Sequence, residues 1–200
     1  FSIRVDDAPK PQKSTKIDIP KYIKECIQQV DKNDYFKRRG LTAETIKRFS
    51  LGYDAMRDAV VIPYDRSLTY YQTRGVKEKV FFKPRTEDAG AEPLFNAACL
   101  TQKTKRPVFV VESPICAMSI VQCGGVRKLL TAVKSKKPTG PIVICMDNDA
   151  PGEKARDDLA NGLFELGVKF LAFNIAKDCK DPNELLMKDP KQLEQAIQDA

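Results

Sequence analysis

The stretch Ile142-Val143-Ile144-Cys145-Met146-Asp147-Asn148-Asp149-Ala150-Pro151-Gly152 joins a short apolar run to an acidic turn and then to a proline. The run is rich in β-branched residues and does not alternate with polar ones, so it reads as a strand buried on both faces. Ala150-Pro151-Gly152 reads as a helix start, because proline at the first helical positions has no N–H to leave unsatisfied. The same order occurs upstream, where Val108-Phe109-Val110-Val111 is followed by Glu112 and then by Ser113-Pro114. Strands that each feed a helix imply a mainly parallel sheet, and the ligand crevice of such a sheet lies at the carboxyl ends of its strands. Glu112, Asp147 and Asp149 are therefore expected to converge on one edge. Three carboxylates there suit a hard cation such as Mg²⁺, with phosphate chemistry around it.

The pattern continues in both directions. Pro114 to Gln122 reads as a helix ended by Gly124-Gly125, and Lys128 to Lys136 as another. Gly152 to Leu166 carries Ala155, Leu159 and Leu163 on one face, with Gly167 beyond its end. Val168 to Asn174 is a third strand, and Asp181-Pro182 and Asp189-Pro190 open the last two helices. Upstream, Tyr22, Ile23, Cys26, Ile27 and Val30 recur at helical spacing, so a helix is expected from Pro20 to about Lys37. Gly40 ends it, and Thr42 caps a short helix through Phe49. Residues 59–64 and 68–74 read as a hairpin turned at Asp65-Arg66-Ser67. Lys79 to Lys83 reads as a further strand, and Thr86 to Pro93 as a polar loop. The expected organisation is a polar arm over 1–19, a basic α+β lobe over 20–105 and an α/β domain over 106–200.

Composition narrows the function classes. Of 200 residues, 42% are hydrophobic and 30% charged, which fits a soluble globular chain. No apolar stretch approaches the ~20 residues of a membrane span. The start at Phe1, without a methionine, reads as a fragment of a longer protein. The absence of histidine rules out an imidazole base and a Ser-His triad. The six cysteines form no C-x-x-C pair, so neither a zinc ribbon nor a Cys/His zinc site is expected. Several lie within apolar runs, as reduced core thiols do in the cytoplasm. Residues 1–105 hold 21 Lys and Arg against 14 Asp and Glu, whereas residues 106–200 hold 13 of each. That split reads either as an ordinary solvated surface or as a polyanion-binding lobe beside a metal-binding one.

Three segments together carry a family resemblance: Val110-Val111-Glu112-Ser113-Pro114, Asp147 to Gly152, and Lys180-Asp181-Pro182-Asn183-Glu184. They resemble the three signatures of the TOPRIM domain in DnaG-type primases and in the primase-like proteins of phages, plasmids and integrative elements. Arg39-Gly40-Leu41 through Phe49-Ser50-Leu51-Gly52-Tyr53 is similar to the opening of the primase catalytic core. Ile62-Pro63-Tyr64 with Arg74, Phe82-Lys83-Pro84 and Leu94-Phe95-Asn96 look like its basic subdomain.

The resemblance implies that Glu112, Asp147, Asp149 and Asp181 hold Mg²⁺ or Mn²⁺, and that Glu112, Asp147 and Asp149 are catalytic. It further implies that Arg74, Lys83, Lys77, Arg85 and Asn96 face template or nucleotide. The activity implied is synthesis of short RNA primers on single-stranded DNA from nucleoside triphosphates, with a replicative helicase as a further partner. Tyr70, Tyr71, Phe81 or Phe82 could stack bases, although aromatics on strands are more often core. Two departures stand out. The family often has a second acid four residues after the glutamate, where this chain has Cys116. The strand and glycine turn expected near Gly125-Val126 look missing. The alternatives are a TOPRIM nuclease or topoisomerase, and a non-catalytic TOPRIM module that binds single-stranded DNA.

Overall fold

Period-two alternation along Ala59–Pro63 sorts one strand's side chains between two layers. Val60 and Ile62 enter the main core, while Val61 turns the other way to meet Ile19, Ile23 and Cys26. The computed structural model describes residues 17–96, 107–123, 126–127 and 141–200. Its N-terminal lobe is an antiparallel sheet of β1 (Gly52–Asp54), β2 (Ala59–Pro63), β3 (Tyr71–Gly75) and β4 (Phe81–Phe82), in that order. The β2–β3 register pairs Val60 with Arg74 and Ile62 with Gln72. Helix α1 (Ile19–Ile27), N-capped by Asp18, covers one face; α2 (Tyr35–Arg38) and α3 (Ala43–Arg48) lie on the other side.

The second lobe has a sheet in which every pairing is parallel, with β6 (Val126–Arg127), β5 (Val108–Val110), β7 (Ile142–Ile144) and β8 (Phe170–Ala172) in that order. Alternation again separates the layers. Phe109 and Val143 face the main core, whereas Val110, Ile142 and Ile144 pack on Leu159 and Leu163 of α6 (Ala150–Glu165). Across the sheet lies α5 (Pro114–Gln122), which is apolar almost all round and buried from Ile115 to Val121. It packs against α7 (Pro182–Lys188) and α8 (Pro190–Gln198). The chain leaves β5 for β6 on one side and returns to β7 on the other. The β5/β7 junction is thus a topological switch point, where the crevice of an open α/β sheet lies.

The two lobes share one hydrophobic cluster. Tyr35, Phe36, Leu41 and Leu51 belong to it together with Phe109, Met118, Leu185 and Leu193. Polar clamps reinforce the junction at the Arg39–Thr42 turn. Gln122 donates to the Gly40 carbonyl at 2.9 Å and accepts from the Thr42 N–H at 2.8 Å. Gly40 sits at φ +75°, a left-handed position that favours glycine, and ends α2 as expected.

Four expectations change. The helix expected over 20–37 is broken into α1, a 3₁₀ turn at Val30–Lys32 and α2. The Asn33 side chain accepts from the Tyr35 N–H at 2.8 Å, a local bond that competes with helix continuation. Gly52–Asp54 is a strand that the sequence pattern missed, too short to show a period. Within the expected polar loop, Thr86–Ala89 forms one helical turn, α4. The strand expected to be missing near Gly125 is present as β6, only two residues long and parallel to β5. The helix expected over 128–136 and most of the arm over 1–19 lie outside the described residues. Among those that are described, no helix is long and apolar enough to cross a membrane.

Candidate active site

Each acid of interest leaves a strand end or opens a helix. Glu112 lies two residues past the end of β5, and its Oε1 accepts the backbone N–H of Asp147 at 3.2 Å, which ties the loops after β5 and β7 together. Asp149 is the N-cap of α6 and accepts the Gly152 N–H at 2.9 Å. Asp181 is the N-cap of α7; its Oδ1 accepts from Asn183 and from Glu184, both at 2.8 Å. Both caps satisfy amides that the first helical turn would otherwise leave unpaired.

Asp147 caps no helix. Its Oδ1 is buried and has no hydrogen-bond partner, while Oδ2 lies 3.8 Å from Lys180 Nζ. The Lys180 ammonium also binds Asp149 and so bridges the D-x-D pair, as expected if both carboxylates leave the strand on one side. Burial is the main cause that pushes Asp147 up to about 6, and the negative charges of Glu112, Asp181 and Asp149 add to it against Lys180. Asp149 goes the other way: its bonds from Lys180 and from the Gly152 amide hold it below the usual carboxylate range.

Carboxylate oxygens of Asp147 and Asp181 and the Sγ of Cys116 all lie within 4.8 Å of one another. This set fits a divalent cation: one buried oxygen without a partner, a second acid whose cap bonds both go to a single oxygen, and a thiol. Glu112 stands next to it through the Asp147 amide. Cys116 is fully enclosed on the first turn of α5, its N–H bonded to the Ser113 cap at 3.1 Å. Burial, then the charge of Asp181, pushes its thiol up to about 12.

Three residues build the site without having been singled out for it. Gly152 is required by close approach: a Cβ there would stand 2.1 Å from the Asp147 carbonyl oxygen and 2.9 Å from Glu112 Oε1. Asn148 holds the turn against the Lys180 loop. Its Nδ2 donates to the Cys179 carbonyl at 2.6 Å, and its N–H donates to the Lys180 carbonyl at 2.7 Å. Asn183 is wholly buried and donates to the Arg39 carbonyl at 2.8 Å and to Ser119 Oγ at 2.9 Å, pinning α7 to the N-terminal lobe. Their motif positions were legible in the sequence; the contacts that make them necessary span up to 144 residues.

The basic candidates are spread over β3, β4 and the segment after them. Arg74 hydrogen-bonds the Tyr35 hydroxyl, and its guanidinium lies 5.2 Å from the Tyr35 ring centre and 5.7 Å from that of Phe81. Lys83 reaches both oxygens of Glu92 at 2.7 and 2.8 Å. Lys77 pairs with Asp58 at 3.6 Å, and Arg85 with Asp88 at 3.0 Å. Asn96 sits at φ +57° and donates its N–H to the Tyr64 carbonyl at 2.6 Å, a backbone role at a turn. Of the possible stacking rings, Tyr70 and Tyr71 are core, while Phe81 and Phe82 are exposed on the edge strand β4.

Residues 109–186 match the family described as Toprim-like. No curated protein matches the sequence. Among solved structures, the zinc-binding and RNA polymerase domains of the Aquifex aeolicus primase superpose with a TM-score of 0.70 at 17% identity. That match covers 90% of this chain and 59% of the Aquifex chain, so this chain spans less than two thirds of that protein's length. The primase fragment of the bacteriophage T7 primase-helicase gives a TM-score of 0.58 at 18% identity, over 80% of this chain and 71% of that one. A T7 primase domain, solved with the lagging-strand polymerase, an RNA/DNA hybrid and dTTP, gives 0.55 at 17% identity, over 82% and 90%. Residues 109–186, which hold the parallel sheet and its acidic switch point, are thus Toprim-like, and together with the antiparallel lobe they give this chain the fold seen in the solved primase structures.

Proposed function

We propose that this chain is the catalytic core of a DNA primase, joining nucleoside triphosphates into short RNA on single-stranded DNA. One observation carries the reading: Glu112, Asp147 and Asp181 gather at the β5/β7 switch point around a buried carboxylate oxygen that lacks a partner. Unneutralised, such acids repel one another, and packing alone gives no reason to collect them. Asp147 and Asp181 would hold Mg²⁺ or Mn²⁺, with Asp149 joining if Lys180 swings away. A bound cation there supplies charge neutralisation for a triphosphate and an attacking 3′-hydroxyl.

The chain's own residues do the rest. Glu112, fixed by the Asp147 amide, stands where it can take a proton from a hydroxyl at the edge. Lys180 offers a positive charge at the mouth of the site. Arg74, held by Tyr35, would meet the template backbone, with Lys83, Lys77 and Arg85 exchanging their carboxylate partners for phosphates. Phe81 and Phe82 offer exposed rings on which bases can stack. The T7 primase domain solved with an RNA/DNA hybrid and dTTP supports the same ligands here. A replicative helicase as partner, a mobile-element host and a cytoplasmic setting belong to this reading.

The test is primer synthesis from nucleoside triphosphates on single-stranded DNA with Mg²⁺ or Mn²⁺. RNA oligomers are expected, abolished by Asp147→Asn and strongly reduced by Glu112→Gln. Asp181→Asn should be milder, since asparagine still caps α7. Cys116, at the position of the family's second acid, favours one other reading: a Toprim-like module that binds single-stranded DNA without polymerising. Binding without product would establish that reading, cut DNA would indicate a nuclease, and full synthesis by Asp147→Asn would place the chemistry elsewhere.

A further inference from the structure

We propose that the cavity between the two lobes beside Glu112 holds one unpaired nucleobase and selects for an exocyclic amino group. The cavity measures about 210 Å³. Its buried lining is Tyr64, Phe95, Phe109 and Ala117, and the exposed Glu92 and Glu112 line it from opposite lobes. Sites for drug-sized ligands run to ~300–1,000 Å³, so this one fits a single ring system and leaves sugar and phosphate outside.

The lining sets the chemistry of the ligand. The Tyr64 and Phe95 rings stand edge to face with centres 5.8 Å apart, and Phe109 and Ala117 add apolar wall, which suits a flat group with apolar faces. Two carboxylates repel a phosphate but accept N–H groups. A base out of its stack is read in this way, by apolar and aromatic contact on its faces and by hydrogen bonds to its edge. Glu92 is the reader. Its Oε1 accepts from the Tyr64 hydroxyl at 2.9 Å, and Lys83 Nζ lies 2.7 Å from Oε1 and 2.8 Å from Oε2. Burial opposes its ionisation, but the bonds from Lys83 and Tyr64 outweigh it and hold the carboxyl below the usual range. The Tyr64 hydroxyl also reaches the buried Gln72 side chain at 3.1 Å, which fixes it at the cavity wall.

The inference deepens the primase reading and rests on it for the class of ligand. Among the described residues, Lys83 is the one partner of Glu92 Oε2. When Lys83 turns to a phosphate, that oxygen is free to accept from a base. Cytosine, adenine and guanine each carry an amino group to donate. Thymine and uracil present a carbonyl oxygen where cytosine has its amino group, and a carboxylate repels it. A site built around such a hydrogen bond rejects the base that lacks the donor. Glu112 lines the same cavity while its Oε1 is tied to the Asp147 amide, so a base seated there brings its own sugar toward the acidic edge. A template strand and a free nucleotide both supply this chemistry.

The experiment measures binding of the whole chain, at one salt concentration, to labelled oligothymidylate that is all thymine or carries one cytosine at its centre, by fluorescence anisotropy. In parallel, CMP and UMP are compared by calorimetry. One hydrogen bond to a charged group should make the cytosine ligand bind about tenfold tighter. A preference between the oligomers assigns the pocket to the template strand, and a preference between the mononucleotides alone assigns it to a free nucleotide. Glu92→Gln, whose amide can serve an amino group or a carbonyl, should level the pair whichever way overall affinity moves. Ala117→Leu, which fills the cavity, should level it too. Circular dichroism verifies that both variants fold, and if Ala117→Leu does not, Glu92→Gln decides alone. Equal binding within both pairs by the parent chain, or a preference that survives in Glu92→Gln, overturns the proposal. Loss of primer synthesis with the preference intact would remove the primase reading alone, and loss of the preference with synthesis intact would remove this pocket alone.

Discussion

Glu112 Oε1 accepts the backbone N–H of Asp147 at 3.2 Å, so two loops 35 residues apart are tied at the switch point of the parallel sheet. This bond makes the acids behave as one unit. It also brings the Glu112 charge close enough to oppose ionisation of the Asp147 side chain.

Stability should therefore depend on pH through Asp147. Burial and neighbouring carboxylates raise its pKa in the folded chain from 3.8 to about 6. An acid raised in this way contributes stability that is fully present below the unfolded value and is lost as pH rises through the folded one. The metal-free chain should lose up to about 3 kcal/mol from this group between pH 4 and pH 7, at 1.36 kcal/mol per unit. Asp147→Asn should flatten that part of the profile and raise the melting temperature at pH 7. Thermal unfolding of both proteins across pH 4 to 8 checks this.

Lys180 acts as the internal counter-ion of the site. It binds Asp149 and lies 3.8 Å from Asp147, drawing the latter's pKa down against its neighbours. Lys180→Ala should move the Asp147 titration to still higher pH, read by carboxylate NMR. The same variant should bind Mn²⁺ more tightly by calorimetry, because an ion would no longer meet an ammonium at the two aspartates.

Gly152 should tolerate no side chain. A Cβ would enter the space of the Asp147 carbonyl at 2.1 Å and touch Glu112 Oε1 at 2.9 Å. Gly152→Ala should cost about 1–3 kcal/mol or more as an overpacking change, and should separate the acids even where the fold survives. Denaturant unfolding together with Mn²⁺ binding separates the two effects.

The basic face should announce itself through salt dependence. Arg74 is anchored on Tyr35 and lies over Phe81, whereas Lys83 is shared with Glu92. Removal of one phosphate contact should lower the salt slope of single-stranded DNA binding by about 0.7. Arg74→Ala should show that loss in full. Lys83→Ala should show less, since Lys83 must first leave its carboxylate partner. Unchanged slopes in both would remove this face from the nucleic-acid path.

Much of this was legible from residue order. Unbroken apolar runs followed by an acid and a proline gave the parallel strands and their helices, because burial on both faces and helix-start chemistry are local. The same logic located Glu112, Asp147, Asp149 and Asp181, and the hairpin at residues 59–74. Local signals failed where the element was shorter than its own period, as in Gly52–Asp54 and Val126–Arg127, or where a side chain competed for the backbone, as Asn33 does.

Only the tertiary structure decided how the acids divide their work. Sequence order grouped Asp147 with Asp149, since they share one strand end. Folding gives Asp149 to a helix cap and to Lys180, and sets Asp147 beside Asp181 and Cys116 instead. The physical reason is that strand and helix periodicity act over a few residues, whereas charge neutralisation and metal coordination depend on distances between chain segments 31 to 65 positions apart. Those distances are set by how α5 and α7 pack beneath the sheet, around Asn183 and Ser119, and no local pattern encodes them.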